Sequence, residues 1–316
     1  MGVGPNDQRQ AEIGSHGFPF RTRVPQIVLE RLTLRGASPY PCLTAGPVFL
    51  ELLTREFRAL VSQRDDAIDL VEGALLIAAL YSPQLDRPYW RQQLNALATA
   101  AAAALEPGGP VRRARRLARW LFQEQCFRGN TLDYYDPRNS FLPDLLRRRL
   151  GIPITLALLY LEVARQLDIP AFGAPVPGHF VIGVATPDGP LFFDPFGGSE
   201  LTPPQLAALA SRATGRPVAI EPFLRPAAHR AILMRMLQNL KAIYLAREAW
   251  EFAYRALDWI LLLAPASPLD RRDRGLIAYR LGQYGVASED FRRYLAVFPR
   301  GEESERLSRL LASLAS

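Results

Sequence analysis

Cysteine, histidine and lysine are all scarce in this chain of 316 residues: two, three and one respectively. Two cysteines, Cys42 and Cys126, exclude a disulfide framework and a cysteine-built metal centre. His16, His179 and His229 are too far apart in sequence to read as a zinc set, so no metal or other cofactor is expected. Apolar runs stay short of the roughly 18 residues that span a bilayer. Trp259 to Ala266 is the sort of run a buried helix makes. The opening residues lack a basic start followed by an apolar stretch, and Asn6 stands where a myristoylation pattern needs Ser or Thr. These absences point to a cytoplasmic protein without a membrane partner.

Lys241 is the single lysine among 38 basic residues, and the net charge is +7. The densest basic cluster, Arg112, Arg113, Arg115, Arg116 and Arg119, falls on a predicted helix with Leu117, Trp120, Leu121 and Phe122 on its other side. That is the pattern of a solvated helix face. No aromatic-interleaved groove accompanies it, so nucleic acid is not expected as a partner.

Composition and period divide the chain. Residues 1–45 are rich in Gly, Pro and polar residues, with one amphipathic patch (Ile27, Val28, Leu29, Leu32), and read as a disordered tail. Residues 46–225 open with helices: Phe49, Leu52, Leu53, Phe57 and Leu60 recur at three- and four-residue steps. Further helices are predicted over 67–81, 89–105 and 111–125. Asp133 to Ser140 is turn chemistry, with Asn139 or Ser140 placed to cap the helix carrying Leu142, Leu145 and Leu146. Gly151 is expected to end that helix, and Pro153 suits the first turn of the next, over 155–167. The period then shortens to strands over 171–176, 179–185 and 190–194, with Pro187-Asp188-Gly189 as a hairpin turn and a further strand over 218–220. Helices followed by a small antiparallel sheet make an α+β domain.

Residues 226–316 are all helical and repeat. Ala253 and Ala287, Leu257 and Phe291, and Pro265 and Pro299 are each 34 residues apart, the tetratricopeptide period. Leu240 and Tyr244 fall in the first helix of one unit, Gly275 and Ala278 in that of the next. Stretches 231–237 and 307–314 are expected to act as flanking caps.

The chemistry concentrates between Asn139 and Gly198. His179 and Asp194 are predicted on two strands joined by a hairpin, where the carboxylate fixes one imidazole nitrogen and leaves the other as a base. A helix N-terminus suits a nucleophile because its partial positive charge lowers a thiol's pKa. The nearest such end, Gly151-Ile152-Pro153-Ile154-Thr155, offers only the Thr155 hydroxyl. Ser140 is a second hydroxyl at the preceding helix start. Each has a plainer reading: Thr155 as a first-turn residue, Ser140 as a cap, Asp194 as a turn-former before Pro195, His179 as a hydrogen-bonded strand residue.

Several runs carry a resemblance: Phe127-Arg128-Gly129-Asn130, Asp133 through Leu142, Arg148 through Leu156, Pro177-Gly178-His179-Phe180 and Asp194 through Gly198. Together with Met234 to Lys241 and Arg271 to Leu276, they resemble the bacterial SirB-type family, from about Gly46 to the C-terminus. The resemblance implies a transglutaminase-like (papain-like) core followed by tetratricopeptide repeats. In the wider superfamily the Gly-x-Cys motif falls on Gly151-Ile152-Pro153, with Arg165 and Asp168-Ile169-Pro170-Ala171 matching its downstream run. His179 and Asp194 then match the other two triad members, and Pro153 stands at the cysteine.

The expectation is a non-catalytic or catalytically altered module. It would bind a protein or peptide partner at a His179/Asp194 cleft and present the 226–316 repeats as a second surface. Two alternatives stand beside it: a hydrolase or acyl-transferase with Thr155 or Ser140 as nucleophile, and a purely structural scaffold.

Overall fold

The structure, a computed structural model, describes residues 46–314. The predicted tail over 1–45, with its Ile27 to Leu32 patch, His16 and Cys42, lies outside them.

Four helices come first: α1 (Pro47–Val61), α2 (Leu70–Tyr81), α3 (Arg87–Ala104) and α4 (Pro110–Arg119), the last passing into one π-turn over Trp120–Glu124. Asp69 and Asp86 start α2 and α3 by accepting the N–H groups of Glu72 and Tyr89, both at 2.9 Å, each satisfying one of the orphan donors of a helix start. α2 is buried on nearly every side, as is α6 (Pro153–Gln166), so these two helices form the centre. Pro153 takes the first helical position, where its missing N–H leaves no hydrogen bond unmade.

Between them, β1 (Arg128–Gly129), a 3-10 turn (Pro137–Ser140), α5 (Leu142–Arg148) and β2 (Leu150–Gly151) are short. β1 and β2 pair in parallel, Gly129 opposite Gly151. Two expectations fail here. Phe141, not Asn139 or Ser140, is the N-cap of α5, without a side-chain bond. Ser140 sits inside the 3-10 turn, and Asn139 uses its amide to hold the carbonyls of Asp133 and Tyr134 at 2.7 and 3.2 Å. Likewise Arg149, at φ 59°, ends α5 in the left-handed region, and Gly151 is taken by the β1–β2 bridge.

The sheet is antiparallel, β3 (Ala171–Ala174), β4 (Val181–Val184), β5 (Leu191–Asp194) and β6 (Ser199–Leu201) in spatial order. β6 carries no sequence signal, being three residues long. The stretch 218–220 is not a strand but leads into a 3-10 turn, Glu221–Phe223. α7 (Pro203–Thr214) covers the sheet, burying Leu206 and Ala210 against Phe192 and Val181.

Five helices follow: α8 (His229–Ala246), α9 (Trp250–Leu263), α10 (Pro268–Arg280), α11 (Tyr284–Val297) and α12 (Glu302–Ser313). The equivalent positions Ala253 and Ala287, and Leu257 and Phe291, are all fully buried. The predicted cap over 231–237 is not a separate helix, since it continues into Leu240 and Tyr244 within α8. α8, α9 and Ile277 of α10 share one apolar core with the first part, while Ala287, Phe291, Tyr294 and Leu307 of α11 and α12 form a separate cluster with Ala278. The Trp259 ring stacks on Phe57 at 4.1 Å and its indole N–H donates to Thr54; Tyr81 stacks on Tyr244 at 5.1 Å. No gap in packing therefore separates α8 and α9 from the helices before them.

Candidate functional site at His179 and Asp194

The β4–β5 register pairs Ile182 with Phe193, which brings Asp194, at the end of β5, level with the entry to β4. His179 lies two residues before β4 rather than on it. A turn through Gly178, at φ 72°, places it there, with the His179 N–H on the Val176 carbonyl at 2.9 Å. A side chain at 178 would also put its Cβ 2.2 Å from that of Ala213 on α7. Glycine is required on both counts.

Nε2 of His179 and Oδ1 of Asp194 are 2.8 Å apart, and each side chain is 17% exposed. The same oxygen accepts the Phe196 N–H at 2.8 Å. Burial by itself would raise the Asp194 carboxyl. The His179 hydrogen bond and charge, with the Phe196 and Gly197 N–H groups, outweigh it and hold the carboxyl below the usual range. The carboxylate is then an acceptor only, so Nε2 is the donor. No group among the described residues hydrogen-bonds Nδ1.

The two hydroxyl candidates make no hydrogen bond to the pair. Thr155 is 0% and Ser140 1% exposed, and neither hydroxyl has a hydrogen-bond partner. Ile152 and Pro153, at the start of α6, are buried as well. The structure thus joins His179 to Asp194 and leaves Thr155 and Ser140 sealed and unlinked to the imidazole. Cys126, exposed, points its thiol to the Gln123 carbonyl at 3.4 Å.

Around the pair stand residues that no sequence spacing marked. Tyr134 packs its ring on Phe196 at 5.8 Å. Arg235 on α8 reaches the His179 carbonyl with Nη2 at 3.5 Å; burial holds its guanidinium below the usual arginine range, opposed by Tyr134. Leu132, Tyr134 and Tyr135 are exposed, and the Tyr135 ring meets that of Tyr134 at 5.3 Å. Asn130 donates to Asn139 at 3.1 Å, and Arg148 pairs with buried Asp136 at 3.2 Å. These contacts join segments 9 to 62 residues apart, which a one-dimensional pattern does not display.

Other features do not build a site. A cavity of about 370 Å³ lies between α1, α2 and α3, lined by Glu56, Glu72, Arg87, Pro88 and Arg91, and its charges pair internally. In the basic cluster, Arg112 pairs with Glu106, Arg115 with Glu200 and Arg116 with Glu124, while Arg113 holds the Leu167 carbonyl. Among the described residues no group of His, Cys, Asp and Glu could hold a metal ion, and no helix is long and apolar enough to cross a membrane.

Comparison with known proteins agrees with this architecture. The family model described as transglutaminase-like superfamily matches residues 89–238, and that described as tetratricopeptide repeat matches 240–312. A UPF0162 protein of Xylella fastidiosa (strain Temecula1) is 38% identical over 256 residues, covering 79% of this chain and 91% of the relative. One of Vibrio cholerae is 29% identical over 253 residues, 79% and 94% of the two chains. F-box only protein 21 of Mus musculus shares a shorter segment, 45% identical over 62 residues, 20% of this chain and 10% of that protein. No solved structure matches. With such identity over most of both chains, the protein belongs to the UPF0162, SirB-type family: a transglutaminase-like core followed by tetratricopeptide repeats.

Proposed function

We propose that this protein is a non-catalytic binding module of the cytoplasm, which takes a protein or peptide segment on the face around His179 and Asp194. The repeats serve as a second protein-binding surface, in line with the general use of such repeats. The supporting observation is a contrast. At the helix start where the superfamily has its cysteine, Pro153 is buried and the nearby hydroxyls are sealed. The His179–Asp194 pair stays partly open, and partly exposed Tyr134 packs on Phe196, whose N–H holds Asp194. A nucleophile must reach both its base and its substrate; a docking surface needs only exposed, shaped groups.

The hydrolase reading draws no support from this geometry, because neither Thr155 nor Ser140 hydrogen-bonds His179. Two measurements test the proposal. Serine- and cysteine-directed acylating probes are expected to give no labelling that depends on His179, judged against His179→Ala; His-dependent labelling would sink the proposal. Partner recovery should use the full chain, because α8 and α9 belong to the common core and their removal would expose it. Leu132→Asp and Tyr135→Asp are expected to lose partners that the wild-type chain retains. Identical recoveries would count against this face.

A further inference from the structure

Of the run Phe127-Arg128-Gly129-Asn130 only Asn130 has entered the site described so far, yet Gly129 touches it. Its N–H donates to the Phe196 carbonyl at 3.2 Å. A Cβ on Gly129 would fall 2.3, 2.4 and 2.5 Å from Cδ2, Cε2 and Cγ of Phe196, so the ring lies directly against the glycine. Gly129 is not among the glycines at positive φ, so the backbone alone does not demand glycine. The ring does: real Cβ atoms essentially never come within 3.0 Å of another heavy atom.

Phe196 is in turn the residue whose N–H meets Asp194 Oδ1 at 2.8 Å, the oxygen that holds His179. Gly129 also faces Gly151 across the β1–β2 bridge, and Asn130 donates to the Gly151 carbonyl at 3.0 Å, two residues before Pro153. We infer that Gly129 is a positioning residue for the His179–Asp194 pair. The space it leaves seats the Phe196 ring on β1, and that seating sets the Phe196 N–H which orients the Asp194 carboxylate toward His179. The inference concerns the geometry of the pair whatever the pair binds, so its test reads the imidazole and not a partner.

The test is proton NMR of the full chain with ring-15N histidine, His179 assigned by its loss in His179→Gln. The readout is the exchange rate of the His179 Nε2 proton with water, with thermal unfolding as a control for general loss of structure. Gly129→Ala is expected to speed that exchange at least tenfold, and Phe196→Ala to speed it in the same direction. In the Phe196→Ala background, where the ring is gone, adding Gly129→Ala should change nothing further, because contacting residues are non-additive. Should Gly129→Ala alone fail to fold, the comparison of Phe196→Ala with the double variant still decides. Wild-type exchange in Gly129→Ala overturns the inference. So does a double variant that is faster than Phe196→Ala alone, or one that cannot fold.

Discussion

Oδ1 of Asp194 takes two hydrogen bonds at 2.8 Å, one from Nε2 of His179 and one from the Phe196 N–H. These bonds lower the carboxyl's folded pKa against the pull of burial. A depressed folded value stabilises the protein above the unfolded aspartate pKa, about 3.9. That stabilisation is lost as pH falls through the lower folded value. Asp194→Asn is expected to cost about 2 kcal/mol at pH 7, the scale of a hydrogen bond to a charged group. Urea midpoints of the two proteins should approach each other as pH falls below 4. A difference that stays constant through that range would contradict the assignment.

Thr155 and Ser140 carry buried hydroxyls without hydrogen-bond partners. An unsatisfied buried hydroxyl costs about 1–3 kcal/mol. Thr155→Val and Ser140→Ala are therefore expected to leave the thermal midpoint unchanged or raise it. Losses of several degrees would show that these hydroxyls have partners.

Asp65 caps α8 from a distance of 164 residues, its two oxygens accepting the N–H groups of His229 at 2.7 Å and Arg230 at 2.9 Å. Removing a helix cap costs about 1–2 kcal/mol. Asp65→Ala should lower the urea midpoint accordingly. Because α8 and α9 share the core of the first part, unfolding followed by tryptophan fluorescence and by circular dichroism should remain a single coincident transition. Two separated transitions would contradict the shared core.

Periodicity and turn chemistry revealed the architecture well where elements were long. Leu53, Phe57 and Leu60 of α1, and Ala253, Leu257, Ala287 and Phe291 of α9 and α11, are buried as apolar spacing expects, whereas Leu52 is 53% exposed; the hairpin after β4 follows from Pro187-Asp188-Gly189. Short elements were not legible, because two or three residues carry no period: β1, β2, β6 and the π-turn over Trp120–Glu124. Ser140 looked like a cap because its residue type favours caps, but the 3-10 turn shifts the helix start to Phe141. At the site, the His179–Asp194 pairing was readable from a hairpin joining two titratable groups. Tyr134, Phe196, Arg235 and Gly129 lie in runs that carry the resemblance, but their placement beside the pair was not readable, since folding alone assembles them.

The central claim is that His179 and Asp194 are the two remaining members of a thiol site in which Pro153 stands for the nucleophile. The most direct test is Pro153→Cys in a chain whose own cysteines are replaced by Cys42→Ser and Cys126→Ser. The introduced thiol should form its thiolate, followed by ultraviolet absorbance, at least one pH unit below the free value of about 8.5. Adding His179→Ala should move that titration back up. A thiol that titrates at its free value, or whose titration ignores His179→Ala, would contradict the claim.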